Sequence, residues 1–127
     1  MEGTLSGGKK WASGTVTSSS STTTFSYSST TSTSTVSTRY VDIALNFTPS
    51  VIIASYYYGN YEYLTVLNSL GAVHTAKNVK ASVYNSANYN SNSYNIKNDS
   101  KVSLGNNIYR LPIIYSSSVT VTWYAYE

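Results

Sequence analysis

The groups best suited to chemistry in this chain are aromatic and amide rather than ionic. Between Tyr84 and Asn98 the sequence sets Tyr84, Tyr89 and Tyr94 five residues apart, among six asparagines: Asn85, Asn88, Asn90, Asn92, Asn95 and Asn98. A tyrosine ring offers an apolar face while its hydroxyl stays hydrated, and an asparagine amide both donates and accepts. Such Tyr-Asn-Ser stretches combine rigid contact area with adaptable hydrogen bonding. They suit sugars, whose pyranose C–H faces stack on rings while amides read the hydroxyls. Tyr84, Tyr89, Asn90, Tyr94 and Asn95 are therefore the candidate ligand-binding residues, although an ordinary exposed loop has the same composition. A second cluster, Tyr56, Tyr57, Tyr58, Tyr61 and Tyr63, surrounds Gly59-Asn60. In a strand Tyr56 and Tyr58 share one face and Tyr57 takes the other, so only one set can be core. Half-buried packing or a subunit interface is the expected use of that cluster.

Catalytic groups are sparse. His74 is the only histidine, and no serine lies in a nucleophile elbow, so a packed or exposed strand histidine is the simpler reading. The five acids, Glu2, Asp42, Glu62, Asp99 and Glu127, are scattered. A glycosidase needs two carboxylates within ~5–10 Å across a sugar. Asp42 and Glu62 could meet on neighbouring strands, but separate surface positions are the stronger expectation. No zinc spacing, calcium loop or phosphate-binding glycine motif occurs, and there is no cysteine. The expectation is a protein that is not an enzyme and carries no cofactor and no metal. Asn46-Phe47-Thr48 and Asn98-Asp99-Ser100 match the glycosylation acceptor pattern, a frequent match with no secretory signal before it.

The 127 residues suit one domain able to bury its own core. Charged residues make up 10%, far below the ~25% of ordinary soluble domains, so hydroxyls and amides carry the hydration. The net charge of +3 comes with only one adjacent basic pair, Lys9-Lys10. Nucleic-acid binding needs clustered positive charge, and membrane spanning needs an apolar run of ~20 residues. Neither is expected. Met1 is the only methionine, which suggests an excised domain with an added start codon and an open reading frame that extends upstream.

These groups must be held by strands. Val41, Ile43 and Leu45 alternate with Asp42 and Ala44, Pro49 breaks the pattern, and Val51-Ile52-Ile53-Ala54 resumes it. Val119, Val121, Trp123 and Ala125 share one side of the last strand, with Thr120, Thr122, Tyr124 and Tyr126 on the other. Residues 1–10, with Gly3, Gly7 and Gly8, read as a flexible lead or hinge, and Trp11 anchors the first strand. In 17–38, 19 of 22 residues are Ser or Thr, broken only by Phe25, Tyr27 and Val36. Threonine favours a pleated surface, so a long hairpin is expected, with 13–27 pairing 33–45 and the tip at 28–32. Gly105-Asn106-Asn107 between apolar runs predicts another hairpin, and Pro112 an edge or bulge. No segment sustains the helical period. The fold class is all-β, an antiparallel β-sandwich or jelly-roll of about nine or ten short strands over 11–127.

Lys10-Trp11-Ala12-Ser13-Gly14-Thr15, the Ser/Thr tract and Leu45-Asn46-Phe47-Thr48-Pro49-Ser50-Val51-Ile52-Ile53 together resemble carboxyl-terminal domains of tail-fibre and baseplate proteins, the receptor-binding proteins of phages and prophages of Gram-positive bacteria. A G-φ-x-F-x-P turn between two strands recurs in that family, where this chain has Ala44 or Asn46 in place of the glycine. The closing strand Val119–Tyr126 is similar as well. The resemblance implies a homotrimeric domain at the tip of a virion tail, made in the bacterial cytoplasm without a signal peptide and continuous with upstream tail-fibre segments. Its implied partner is a host cell-surface polysaccharide, such as wall teichoic acid. A trimerisation or capping module of the fibre and a carbohydrate-binding module of a wall hydrolase are the alternatives.

Overall fold

The structure, a computed structural model, describes residues 1–28, 33–58, 61–68, 71–78, 89–113 and 117–127, of which 28, 33, 58, 61, 71–78 and 89–95 are described by their backbone alone. Eleven strands and no helix make up the described residues. They are β1 (Glu2–Thr4), β2 (Lys10–Thr17), β3 (Thr23–Ser28), β4 (Thr33–Ala44), β5 (Val51–Tyr58), β6 (Tyr61–Asn68), β7 (Gly71–Asn78), β8 (Tyr89–Ile96), β9 (Ser103–Gly105), β10 (Ile108–Ile113) and β11 (Thr120–Tyr126). Neighbours run in the order β1-β2-β11-β5-β6-β7-β8-β3-β4-β10-β9, and every pairing is antiparallel.

This ladder becomes a β-sandwich because β4 changes partners halfway along. Its first half pairs β3, from Ser28↔Thr33 to Thr23↔Thr38, and its second half pairs β10, from Arg39↔Ile113 to Ala44↔Ile108. A strand that leaves one sheet and enters the other is the usual way to turn a corner between layers. At the changeover Thr38 is buried and its hydroxyl donates to the Ile113 carbonyl at 2.5 Å, so the junction leaves that oxygen satisfied. The second layer, made by the end of β4 with β10 and β9, packs against β6. The Thr65 hydroxyl, on β6, donates to the Pro112 carbonyl of β10 across the interior.

The period-two reading of the sequence sets this interior. Val41, Ile43 and Leu45 are buried from one layer, and Ile52, Ala54 and Tyr56 from the other. Val121 and Ala125 are buried too, while Trp123 is half-buried against the core. Registration carries the inward rows from strand to strand: Ala12 opposes Ala125, Ala125 opposes Ile52, and Ile52 opposes Leu67. Beside that row, Gly14 opposes Trp123, Trp123 opposes Ala54, and Ala54 opposes Thr65. Gly14 is needed there, since a Cβ would lie 2.9–3.1 Å from the Trp123 indole. Each fully buried Ile, Val, Leu or Phe contributes about 1.5–3 kcal/mol. The seventeen buried apolar residues among those described are therefore a sufficient source of cohesion without sulfur bridges.

The strands differ from these expectations in several places. The Ser/Thr tract does form a hairpin, but only from β3 and β4; residues 13–17 belong to β2, which pairs β11 and β1. The tip at 29–32 lies outside the described residues. The lead at 1–10 holds β1, paired from Glu2↔Ala12 to Thr4↔Lys10, and a turn closed by the Leu5 amide donating to the Lys9 carbonyl. In β2 it is Ala12 that enters the core, and Trp11 takes the opposite face. Part of the asparagine-rich stretch expected as a loop is strand β8. The other hairpin forms as expected, between β9 and β10. Asn106 and Asn107 have φ of 54° and 58°, the left-handed pair of a two-residue primed turn.

Candidate functional site

Tyr84 lies outside the described residues, and of Tyr89, Asn90, Tyr94 and Asn95 only the backbone is described. Their strand β8 pairs β7, with Tyr89 opposite Lys77, Asn90 opposite Ala76, Tyr94 opposite His74 and Asn95 opposite Val73. The ladder shifts register between His74 and Ala76. Tyr89, Asn90, Tyr94 and Asn95 therefore sit on one strand of the larger sheet rather than on a free loop.

The other tyrosine cluster divides as strand geometry requires. Tyr56 is buried and stacks on Tyr63, with ring centroids 4.8 Å apart and planes within 4°. Tyr57 faces out, is 66% exposed, and donates its hydroxyl to Glu62 at 3.1 Å. That bond, together with the nearby carboxylate charge, raises the Tyr57 pKa above its ordinary value, because ionising the phenol would break the bond and set two anions side by side.

The outward side of the larger sheet is where exposed rings gather. Tyr124 on β11 is 46% exposed, and Trp11, Tyr126 and Thr122 are half-exposed beside it. Registration aligns them in rows: Trp11 opposes Tyr126, which opposes Val51, while Ser13 opposes Tyr124, which opposes Ile53. The next strand continues the second row, since Ile53 opposes Val66, and a third row runs from Thr15 through Thr122 and Ser55 to Leu64. Trp11 reaches its position by lying over Gly3, whose hydrogen leaves room for the indole. Antiparallel strands lie ~4.8 Å apart, so the run from β2 to β6 gives a platform ~14 Å across. Its described residues carry no charge between Trp11 and Leu64 along these rows. Chemically it offers ring faces, short aliphatic side chains and hydroxyls, a surface for stacking and hydrogen bonding rather than for ion pairing.

Ionic groups lie elsewhere. Arg110 on β10 makes a two-pronged bridge to Asp42 on β4, at 2.8 and 2.9 Å, and its guanidinium sits 3.9 Å over the Tyr40 ring. The hydrogen bond to Asp42 raises the Arg110 pKa further. Asp42 and Glu62 are not on neighbouring strands: β4 pairs β3 and β10, whereas β6 pairs β5 and β7. Among the described residues no three of His, Asp and Glu are placed to hold a metal ion, and no helix is long and apolar enough to cross a membrane. His74 is on β7, opposite Thr65 and Tyr94, with its side chain outside the description. Both acceptor-pattern asparagines are exposed: Asn46 donates to Glu2, while Asn98 donates to the Asn68 carbonyl and accepts from Ser103.

Comparison with protein-family models, curated proteins and solved structures returned no match to this chain.

Proposed function

We propose that this chain is a non-catalytic adhesion domain of a phage tail, which attaches the particle to host cell-surface glycan such as wall teichoic acid or another polysaccharide. The observation that carries the reading is the uncharged, ring-bearing patch on the outer face of the larger sheet, with Trp11, Tyr124 and Tyr126 held in registered rows. A sugar polymer presents alternating C–H faces and hydroxyls, and a flat row of rings edged by Ser13 and Thr122 is complementary to it. The sequence resemblance supplies the tail context, and the low charged fraction agrees with a surface that works through hydroxyls and amides. A neutral platform also binds without the steep salt dependence of an ionic contact. The test is co-sedimentation of the whole chain with walls of bacilli, clostridia and lactic acid bacteria. Saturable binding that survives raised salt is expected. No binding to any of these walls would sink the reading.

A second reading is favoured by the aliphatic part of the same face. Ile53, Leu64 and Val66 are half-buried there and would suit packing against another copy, as in a trimerisation or capping module. The short terminal strands β1 and β9, three residues each, also leave little sheet edge for uncontrolled pairing. Light scattering separates the two readings: a trimer whose wall binding is indifferent to Tyr124→Ala is structural.

A further inference from the structure

The Trp11–Tyr126–Val51 row does not stop at β5. Val51 begins β5 and Asn68 ends β6, and both line a cleft at that end of the sandwich, with Thr48, Pro49, Ser50, Leu67, Asn98, Ser103 and Tyr109 completing it. The cleft has a volume of about 220 Å³. That is below the ~300–1,000 Å³ of pockets for drug-sized molecules, so it has room for one small ring and not for a chain.

Its polar groups are already oriented. The Asn98 amide donates to the Asn68 carbonyl at 3.3 Å, and its oxygen accepts from the Ser103 hydroxyl at 2.6 Å. The Thr48 hydroxyl donates to the Asn107 side chain at 3.2 Å, and Ser50 donates to the Tyr126 carbonyl at 3.2 Å. Each of these groups keeps hydrogen-bonding capacity: Asn98 a second N–H, and the Ser103, Thr48 and Ser50 oxygens their lone pairs. The primed turn at Asn106-Asn107 and the Leu45 amide bond to the Asn107 carbonyl fix the Thr48 side of the cleft. Tyr109 and Pro49 add apolar surface. Among the described residues that line it there is no Asp, Glu, Lys, Arg or His.

We infer that this cleft is a subsite for a single uncharged sugar ring, the end position of a saccharide laid along the Trp11–Tyr126–Val51 row. The inference rests on the glycan-binding reading and names the group recognised, a neutral ring and not a phosphate. An anionic group would find no cation among the described lining residues to offset its lost hydration, whereas a sugar exchanges water hydrogen bonds for those of Asn98, Ser103 and Thr48. Tyr109 serves as the stacking face.

The test is an amide NMR titration of the whole labelled chain with glucose, galactose and N-acetylglucosamine in turn, and with glycerol phosphate as the anionic probe. At least one neutral sugar should move the Asn68, Asn98, Ser103 and Tyr109 signals, and glycerol phosphate should not. Ser50→Trp, which fills the mouth from an exposed position, and Asn98→Ala, which removes an exposed side chain, should each weaken the response roughly tenfold, a change of ~1.4 kcal/mol. Sugar shifts confined to Trp11, Tyr124 and Tyr126, or variants that titrate like the parent, would overturn the cleft while leaving glycan binding intact. So would wall binding with no sugar response in the cleft. Neither sugar response nor wall binding would overturn both.

Discussion

Tyr57 and Glu62 show what one exposed hydrogen bond does to a titration. The phenol is held protonated by the carboxylate, so its folded-state pKa lies above that of the unfolded chain. Any stabilisation from the pair is complete at neutral pH, starts to fade above the pKa of the unfolded phenol and is gone once the pH has risen through the raised one. Absorbance titration, differenced against Tyr57→Phe, should show this residue ionising later than a free tyrosine, and Glu62→Gln should bring it back down. Gly14→Ala tests a different constraint. Its methyl would press on the Trp123 ring, an overpacking worth about 1–3 kcal/mol, read as a lower urea midpoint and a shifted tryptophan emission. For Asp42→Asn the expected loss is smaller, at most ~1 kcal/mol, because the bridge to Arg110 is partly open to solvent at both ends. A double-mutant cycle with Arg110→Ala measures it.

Among the strands, those with one buried face were the most legible in the sequence. Val41, Ile43 and Leu45 are buried as alternation requires, and Val121 and Ala125 likewise, because a single-residue slip would turn each row out to water. The Asn106-Asn107 hairpin was legible for a different reason: few residues tolerate two consecutive left-handed positions. Asn106→Ala should therefore cost about 1–2 kcal/mol in denaturant unfolding, and Asn106→Gly close to none. Partner choice was not legible. Nothing local in Trp11–Thr17 says that its neighbour is β11, a hundred residues later, rather than the adjacent Ser/Thr tract. Residues 89–96 hid a strand because Asn, Ser and Tyr give little polar contrast between faces. The outer face was half visible: Tyr124 and Tyr126 opposite the core side are plain in the sequence, whereas the side taken by Trp11 became plain only with the Gly3 pairing. The end cleft had no signal at all, since its lining comes from five separate stretches of chain. The corner at Thr38 was hidden similarly. Thr38→Val, which strips the Ile113 carbonyl of its donor, should destabilise by about 1–3 kcal/mol with little change in volume.

Across the whole molecule, strand order governs assembly. Most of the ladder between β5 and β7 is made of sequence neighbours, but the sheet on one side of β5 and the second layer both depend on distant segments. Non-local β pairing of this kind sets refolding in the range of milliseconds to seconds rather than microseconds. Stopped-flow tryptophan fluorescence should show it, with Trp123 reporting closure of the core.

The position of β11 carries one more consequence. It is the last strand in chain order, yet it stands between β2 and β5 and pairs both. During translation, β2 and β5 must therefore wait with their inner edges open until residues 120–126 have cleared the ribosome exit tunnel. A stop codon just after Ser118 would leave that slot empty, exposing two facing ladders to any extended peptide nearby. A synthetic 119–127 peptide supplied in trans is then the natural complement, in the manner of a split reporter.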